Sequence, residues 1–296
     1  MTAANGRAAA FAVLALANLF WAGNWVMGRA LRDSFDPVTL NFWRWAVAVV
    51  ALAPFALRGL RAQLPVVRRH AGYLGLLAFL GVALFQSLVY LGLRSTAAVN
   101  AVLINCSAPL FILLCAWTIE RERATLRELT GILIAVAGIL VILSRGELSR
   151  LAQLEFHAGD FWIILAMPVW GVYSVLLKRR PPGLGGVHFL FVLSVIGLLM
   201  LAPLVAWLAF KAPPHAPSAA EISGVIYMGL FASVGAFIFW NRGVAVVGAN
   251  AAGYTLYLLP TFGTLLAIVF LGETFGAFHA VGIVTIVAGV ILATRK

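Results

Sequence analysis

Long runs of apolar residues, separated by short polar connections, fill almost the whole chain. An α-helix needs roughly 20 consecutive apolar residues to cross a bilayer. The pattern predicts ten membrane-spanning helices, at residues 8–28, 38–57, 71–93, 97–118, 127–144, 159–177, 186–210, 221–241, 249–271 and 275–293. Between them, the mixed-charge connector 145–158 is expected to be an interfacial loop, and the Pro-rich segment 211–220 a turn. The fold class predicted is therefore an all-α membrane protein.

Composition supports this prediction and excludes several classes of protein. Hydrophobic residues make up 63% of the chain and charged residues only 10%, whereas a soluble domain carries roughly 25% charged residues. Ten spans with short connections use nearly all 296 residues. No room remains for a soluble catalytic or nucleotide-binding domain.

The net charge of +11 is distributed as in a membrane protein and does not indicate a nucleic-acid partner. The cations lie in the connections between apolar runs, and cytoplasmic connections are enriched in Lys and Arg. With the N-terminus inside, fourteen Lys and Arg residues fall on the inner side and six on the outer, while Arg44 falls within a span. This count predicts that both termini are cytoplasmic, in a plasma (bacterial inner) membrane.

The two halves of the chain resemble each other. When residues 90–145 are shifted by 151 positions onto 241–296, thirteen of 56 positions are identical. The identities include four pairs that shared apolar composition does not explain: Pro109 with Pro260, Glu122 with Glu273, Gly131 with Gly282, and Gly138 with Gly289. This predicts two five-helix repeats, 1–145 and 146–296. Because five is odd, the second repeat must be inverted, and inverted repeats of secondary transporters place the substrate site near the membrane midplane.

The most specific stretch for family resemblance is 257–292, YLLPTFGTLLAIVFLGETFGAFHAVGIVTIVAGVIL. Together with Trp21-Ala-Gly-Asn and the Arg44 of NFWRW, it resembles the EamA family of the drug/metabolite transporter superfamily. The first repeat departs from the family pattern at 119–125, where IERERAT replaces the usual Leu-Gly-Glu. The resemblance implies a ten-helix carrier with a central cavity. It is nearest to the aromatic amino acid exporters.

Polar and aromatic residues within the predicted spans are candidates for the cavity lining. An unpaired polar group in hydrocarbon costs several kcal/mol, so such residues face the bundle or water. The substrate-binding candidates are Asn18, Trp21, Asn24, Trp25, Gln86, Tyr90, Asn105, Trp170, Tyr173, Trp240, Asn241, Tyr254 and Tyr257. For aromatic residues the alternative is an interfacial belt. That alternative is preferred at the predicted helix ends, for Trp43, Trp45, Trp117, Trp162 and Trp207.

Three further features have both a functional and a structural interpretation. Arg44 either recognises a substrate carboxylate or snorkels and fixes helix packing. Pro109 and Pro260 act as hinges or only kink their helices. The two glycine pairs, spaced seven residues apart, predict close helix–helix packing.

The sequence favours a secondary transporter over an enzyme. It lacks the phosphate-binding motif G-x-x-x-x-G-K-[ST] and the zinc motif H-E-x-x-H, and no metal or cofactor is expected. The predicted function is ATP-independent export of amino acids, aromatic or other neutral ones, and of related small metabolites by alternating access, as a monomer or weak homo-oligomer. The alternatives are an exporter of cationic drugs or other metabolites and, less favoured, a lipid-modifying membrane enzyme. Because no span has a central Asp or Glu, transport is expected to need no proton gradient.

Overall fold

The computed structural model describes residues 3–211, 216–271 and 276–294, and within these ranges the chain forms helices and no strand. Apart from α3, the helices coincide with the apolar runs of the sequence. The helices are α1 (Ala3–Ala30), α2 (Pro37–Ala56), α3 (Leu60–Arg69), α4 (Ala71–Ser95), α5 (Ala98–Asn105 and Ala108–Glu120), α6 (Leu126–Ser144), α7 (Ala158–Leu176), α8 (Gly186–Lys211), α9 (Ala219–Val247), α10 (Ala249–Tyr254, Thr255–Tyr257 and Leu258–Leu271) and α11 (Ala277–Thr294).

Nine helices among the described residues are long and apolar enough to cross a membrane, and they coincide with nine of the predicted spans. The remaining predicted span, 249–271, is α10, which is helical in three consecutive pieces and is not among the nine. The short helix α3 was missed, because its polar sequence resembles a loop, and none of its residues is buried. The predicted interfacial loop contains the 3₁₀ helix Leu148–Gln153. Glu273 and residues 212–215 of the predicted turn lie outside the described residues.

Two helices contain a wide, π-helical segment in their middle. These segments are Phe79–Leu84 in α4 and Met228–Gly235 in α9. The offset of 151 found in the sequence places the first segment on residues 230–235, inside the second. A π-helical turn leaves backbone carbonyls without their usual partner and is frequent at functional sites. The repeat therefore extends to a local irregularity that apolar patterning does not encode.

Pro109 and Pro260 lie beside breaks in α5 and α10. The proline ring collides with the carbonyl four residues earlier and removes a hydrogen bond. In α5 the first helical piece ends at Asn105, four residues before Pro109, and the second begins at Ala108. In α10 the 3₁₀ turn Thr255–Tyr257 occupies the same place before Pro260.

The helices of the two halves pack in matching pairs. α4 packs against α7 and α9 against α1, while α5 packs against α7 and α10 against α1. α2 packs against α8, and α6 against α11. Since α1, α2, α4, α5 and α6 correspond in order to α7 through α11, each contact between the halves has its counterpart.

The glycine pairs make the contact between α6 and α11. A Cβ atom on Gly131 would lie 2.7 Å from the carbonyl oxygen of Gly289, and one on Gly138 would lie 2.7 Å from that of Gly282. The predicted packing role of these glycines is confirmed. Because the early glycine of each helix meets the late glycine of the other, α6 and α11 run antiparallel.

Trp45 is not part of an interfacial belt, contrary to the prediction. Its side chain is 0% exposed, whereas Trp43, Trp117, Trp162 and Trp207 are between 38% and 51% exposed. Successive residues of an α-helix point about 100° apart, so Trp43 and Trp45 cannot share one face. Trp43 faces outward, and Trp45 belongs to the core between the halves.

Candidate functional site

Arg44 is fully buried, with its side chain 0% exposed. Asp36 caps α2 by accepting from the backbone of Val38, and Pro37 starts the helix, which places Arg44 two turns inside it. The guanidinium donates hydrogen bonds to Ser233 Oγ (2.7 Å), Tyr90 Oη (2.9 Å), Asn24 Oδ1 (3.2 Å) and the Ala232 carbonyl (3.2 Å). Arg44 does not snorkel; it joins the first half, through Asn24 and Tyr90, to the second.

No carboxylate among the described residues forms an ion pair with Arg44. The charge is stabilised by neutral acceptors and by the face of Trp45, whose ring centroid is 5.4 Å from the guanidinium carbon. A buried cation is costly without an opposite charge. Among the described residues, the buried guanidinium is therefore a positive charge without an acidic partner.

The side chains of α2 reach the π-helical segments of both halves. Arg44 donates to Ala232 and Ser233, within the segment of α9. Three residues earlier, Asn41 donates to the carbonyls of Val82 (2.9 Å) and Ala83 (3.3 Å), within the segment of α4. The carbonyls released by the two wide turns thus gain donors from one helix.

Each half contains a tyrosine–asparagine hydrogen bond. The position that holds tyrosine in one half holds asparagine in the other, and the reverse. Tyr90 of α4 donates to Asn24 of α1 at 2.8 Å, and Tyr173 of α7 donates to Asn241 of α9 at 3.3 Å. The offset of 151 pairs Tyr90 with Asn241. The offset of 149 that relates Trp21 to Trp170 pairs Asn24 with Tyr173. Arg44 contacts the first pair, so the charge belongs to one half.

Aromatic rings fill the space beside Arg44. The rings of Trp21, Trp170 and Trp240 contact one another, with centroids 5.2 to 5.4 Å apart. Phe85 and Tyr173 pack on Trp170 at 4.8 and 5.1 Å. These rings come from α1, α4, α7 and α9, hence from both halves, and they form an apolar wall next to the polar cluster.

The other predicted residues lie in different parts of the helix bundle. Gln86 is buried one turn before Tyr90 and interacts with its hydroxyl, and Asn18 donates to Thr255 Oγ1 at 3.1 Å. Trp25 is half-buried at the edge of the core. Tyr254 and Tyr257 belong instead to a second, smaller core formed with α6 and α11. Asn105, at the break in α5, is also buried.

Sequence reasoning missed four residues of the site: Asn41, Phe85, Ser233 and Phe237. Phe237 contacts Trp21, Trp45 and Trp170, but phenylalanine is indistinguishable from lipid-facing residues in an apolar run. Ser233 could not be identified as a site residue from the sequence, because it contributes only a single hydroxyl group. Asn41 could have been found, because it lies on one helical turn with Arg44.

At one end of the bundle, Lys178 connects the two halves. It binds Glu120 and Glu122, the latter at 2.7 Å, and Asn250 donates to Glu122 at 3.2 Å. Lys178 follows α7, Glu120 is the last residue of α5, Glu122 lies just after it, and Asn250 is in the first turn of α10. From the sequence, Lys178 was only one of the fourteen cations counted on the inner side, because its partners are distant in the chain.

Apolar spans around a buried polar and aromatic centre, built from two matching halves, define a multi-pass membrane protein of the transporter class. The chain belongs to the EamA-like transporter family, whose model matches residues 8–144 and again residues 157–295. Two copies of the family unit therefore follow each other in this chain. The family implies membrane embedding and a small-molecule substrate, and a transporter rather than an enzyme.

Relatives that match over nearly the full length are named as transporters or exporters. An uncharacterized transporter of Archaeoglobus fulgidus is 29% identical over 292 residues, covering 96% of each chain. The uncharacterized transporter YdeK of Bacillus subtilis is 30% identical, covering 94% of each chain. A probable terminal-alkyne amino-acid exporter of Streptantibioticus cattleyicolor is 29% identical, covering 96% of this chain and 92% of its own.

One crystal structure aligns with a TM-score of 0.74 at 22% identity, covering 97% of this chain and 96% of the other. At this identity the likeness concerns the fold alone.

Proposed function

We propose that this protein is an exporter of neutral amino acids, in particular aromatic ones, that works by alternating access without ATP. Two inverted five-helix repeats, 1–145 and 146–296, move relative to each other, with α10 as the tenth membrane span and both termini in the cytoplasm. The paired helix contacts and the antiparallel α6 and α11 support the inverted arrangement.

The observation that carries the proposal is the buried Arg44, which lacks an acidic partner among the described residues and contacts both halves. A substrate carboxylate supplies the missing charge and forms strong, charge-assisted hydrogen bonds with a guanidinium. The neighbouring wall of Trp21, Trp170 and Trp240 suits an apolar or aromatic side chain. The relative named as an amino-acid exporter supports the same substrate class.

The charge of Arg44 also weighs against the alternative of a cationic drug. A ligand cation would meet an unneutralised guanidinium in a medium of low dielectric constant, where like charges repel strongly. The aromatic wall alone would suit a cationic drug as well as an aromatic amino acid. The two substrate classes therefore differ in whether binding needs a carboxylate.

Substrate entry requires movement, because the aromatic rings now pack on one another. Separation of α1 from α7 and α9 would part Trp21 from Trp170 and Trp240. The breaks beside Pro109 and Pro260 are the proposed hinges for this movement. The solute gradient drives transport, and no proton gradient is needed.

Counterflow in proteoliposomes tests the proposal. Vesicles preloaded with phenylalanine should accumulate labelled phenylalanine without an imposed pH gradient, while phenethylamine, which lacks the carboxylate, should not exchange. Trp21→Ala should reduce exchange, whereas Trp162→Ala, which changes an exposed tryptophan of α7, should not. Equal exchange of phenylalanine and phenethylamine, or exchange that strictly needs a pH gradient, would contradict the proposal.

A further inference from the structure

A groove lies on the outer face of α5, away from the central site. Its lining residues are Leu110, Leu113, Leu114, Trp117, Arg123 and Ala124, and its volume is about 320 Å³. The first four recur at the spacing of one helical face. Ligand pockets commonly begin at about 300 Å³, so the groove has room for part of a small apolar ligand.

The loop after α5 forms the other wall of the groove. α5 ends in a turn in which the amide of Arg121 donates to the Trp117 carbonyl at 3.1 Å and that of Glu122 to the Ala116 carbonyl at 3.3 Å. Arg121 adopts φ of 60°, the left-handed conformation usual for glycine at this position. The chain thereby turns back, and Arg123 lies beside the leucines of the helix.

The acids near this groove are all engaged elsewhere. Glu120 and Glu122 bind Lys178. Glu128 accepts from Thr125 in the capping box of α6. Arg121, Arg123 and Arg127 are exposed, and none forms an ion pair with another residue of the described ranges. The groove thus combines an apolar wall with Arg123, a cation that forms no ion pair within the described residues.

We propose that this groove binds an anionic phospholipid, with an acyl chain against Leu110, Leu113 and Leu114 and the phosphate group against Arg123. The position of Trp117, 51% exposed in the last turn of α5, fits the boundary between acyl chains and headgroups. Basic residues at this boundary favour anionic lipids. The lipid site is separate from the central cluster and does not depend on the transported solute.

Quenching of Trp117 fluorescence by brominated lipids tests the proposal. Full-length protein in detergent micelles is titrated with brominated phosphatidylglycerol or brominated phosphatidylcholine. The quenching that disappears in Trp117→Phe is assigned to Trp117. Half-maximal quenching of Trp117 should occur at an about fivefold lower concentration of phosphatidylglycerol than of phosphatidylcholine. The reason is that one basic residue near an anionic surface contributes about 1 kcal/mol.

Three variants identify the origin of the preference. Arg123→Gln should remove it, and Arg123→Lys should keep most of it because the charge remains. Arg61→Gln, which changes an exposed arginine of α3, should leave it intact. Equal quenching by the two lipids, or equal loss of the preference in Arg61→Gln, would overturn the proposal. Displacement of the lipid by inorganic phosphate would also overturn it, since the arginines would then bind a soluble anion.

Discussion

Replacing Arg44 by glutamine separates substrate recognition from the structural role of this side chain. Of its four acceptors, Asn24 Oδ1 and the Ala232 carbonyl keep another donor. Asn24 and Tyr90 remain bonded to each other, and the Ala232 carbonyl also accepts from Trp21 Nε1 at 3.1 Å. Ser233 Oγ and Tyr90 Oη lose Arg44 as a donor, while Ser233 still donates to the Met228 carbonyl and Tyr90 to Asn24.

The loss of stability should therefore be moderate. A buried acceptor left without a donor costs about 1–3 kcal/mol, so Arg44→Gln should lower the free energy of unfolding by about that amount and still fold. A hydrogen bond to a charged group contributes about 1.5–3 kcal/mol. If a substrate carboxylate binds Arg44, its affinity should fall about 10- to 150-fold.

The assay compares phenylalanine with phenylalaninamide, in which the carboxylate is replaced by a neutral amide. Wild-type protein should bind the amino acid at least about tenfold more tightly, and Arg44→Gln should bind both ligands with similar affinity. Arg44→Lys, which keeps the charge but loses the planar fork, should give an intermediate ratio. Arg242→Gln, at an exposed arginine of α9, serves as the control.

Equal weakening of the binding of both ligands by Arg44→Gln would contradict a role of this side chain in substrate recognition. That result would mean that the guanidinium only supports helix packing. If Arg44→Gln changed neither the ratio of the two affinities nor the free energy of unfolding, the neutral acceptors around Arg44 would not need it as a donor.

Contacts away from Arg44 give three more expectations. Lys178→Met removes the ion pairs with Glu120 and Glu122 at the end of α5. Since partly exposed pairs contribute up to about 1 kcal/mol, maleimide labelling of Cys115, which is buried against α7, should accelerate up to about fivefold. Gly138→Ala should lower the free energy of unfolding by about 1–3 kcal/mol through overpacking, whereas Gly75→Ala, with no atom within 4 Å, should not change it. Asn41→Leu removes a hydrogen-bond donor to the π-helical turn of α4. It should lower the free energy of unfolding, measured like that of the glycine variants by denaturation, by about 1–3 kcal/mol.

The spans could be predicted because crossing a bilayer imposes a length and an apolar composition on each helix. The inward faces were also predictable, since buried amides need polar partners. This reasoning selected Asn24 and Tyr90, which both bind Arg44. It could not assign partners, because a helical stripe gives the direction of a side chain and not its neighbour.

The irregular parts of the helices were not predictable from apolar patterning. The π-helical segments of α4 and α9 persist where donors from α2 reach the released carbonyls, and those donors are distant in sequence. The amphipathic helix α3 was missed for a different reason. Its arginines are typical of a solvent-exposed loop, and a helix is indicated only when the apolar residues between them are also considered.

The two halves match in backbone irregularities, in helix contacts and in their tyrosine–asparagine pairs, but not in charge. An offset of 149 to 151 places Arg44 opposite residues 193–195 of α8, where Ser194 is buried and bonded to the Leu190 carbonyl. The second half therefore has no cation at the corresponding position. A zwitterion bound between the halves would direct its carboxylate toward α2 and its apolar side chain toward Trp170 and Trp240. Because the charge stays with one half when the halves move, the substrate carboxylate should remain attached to that half throughout the cycle.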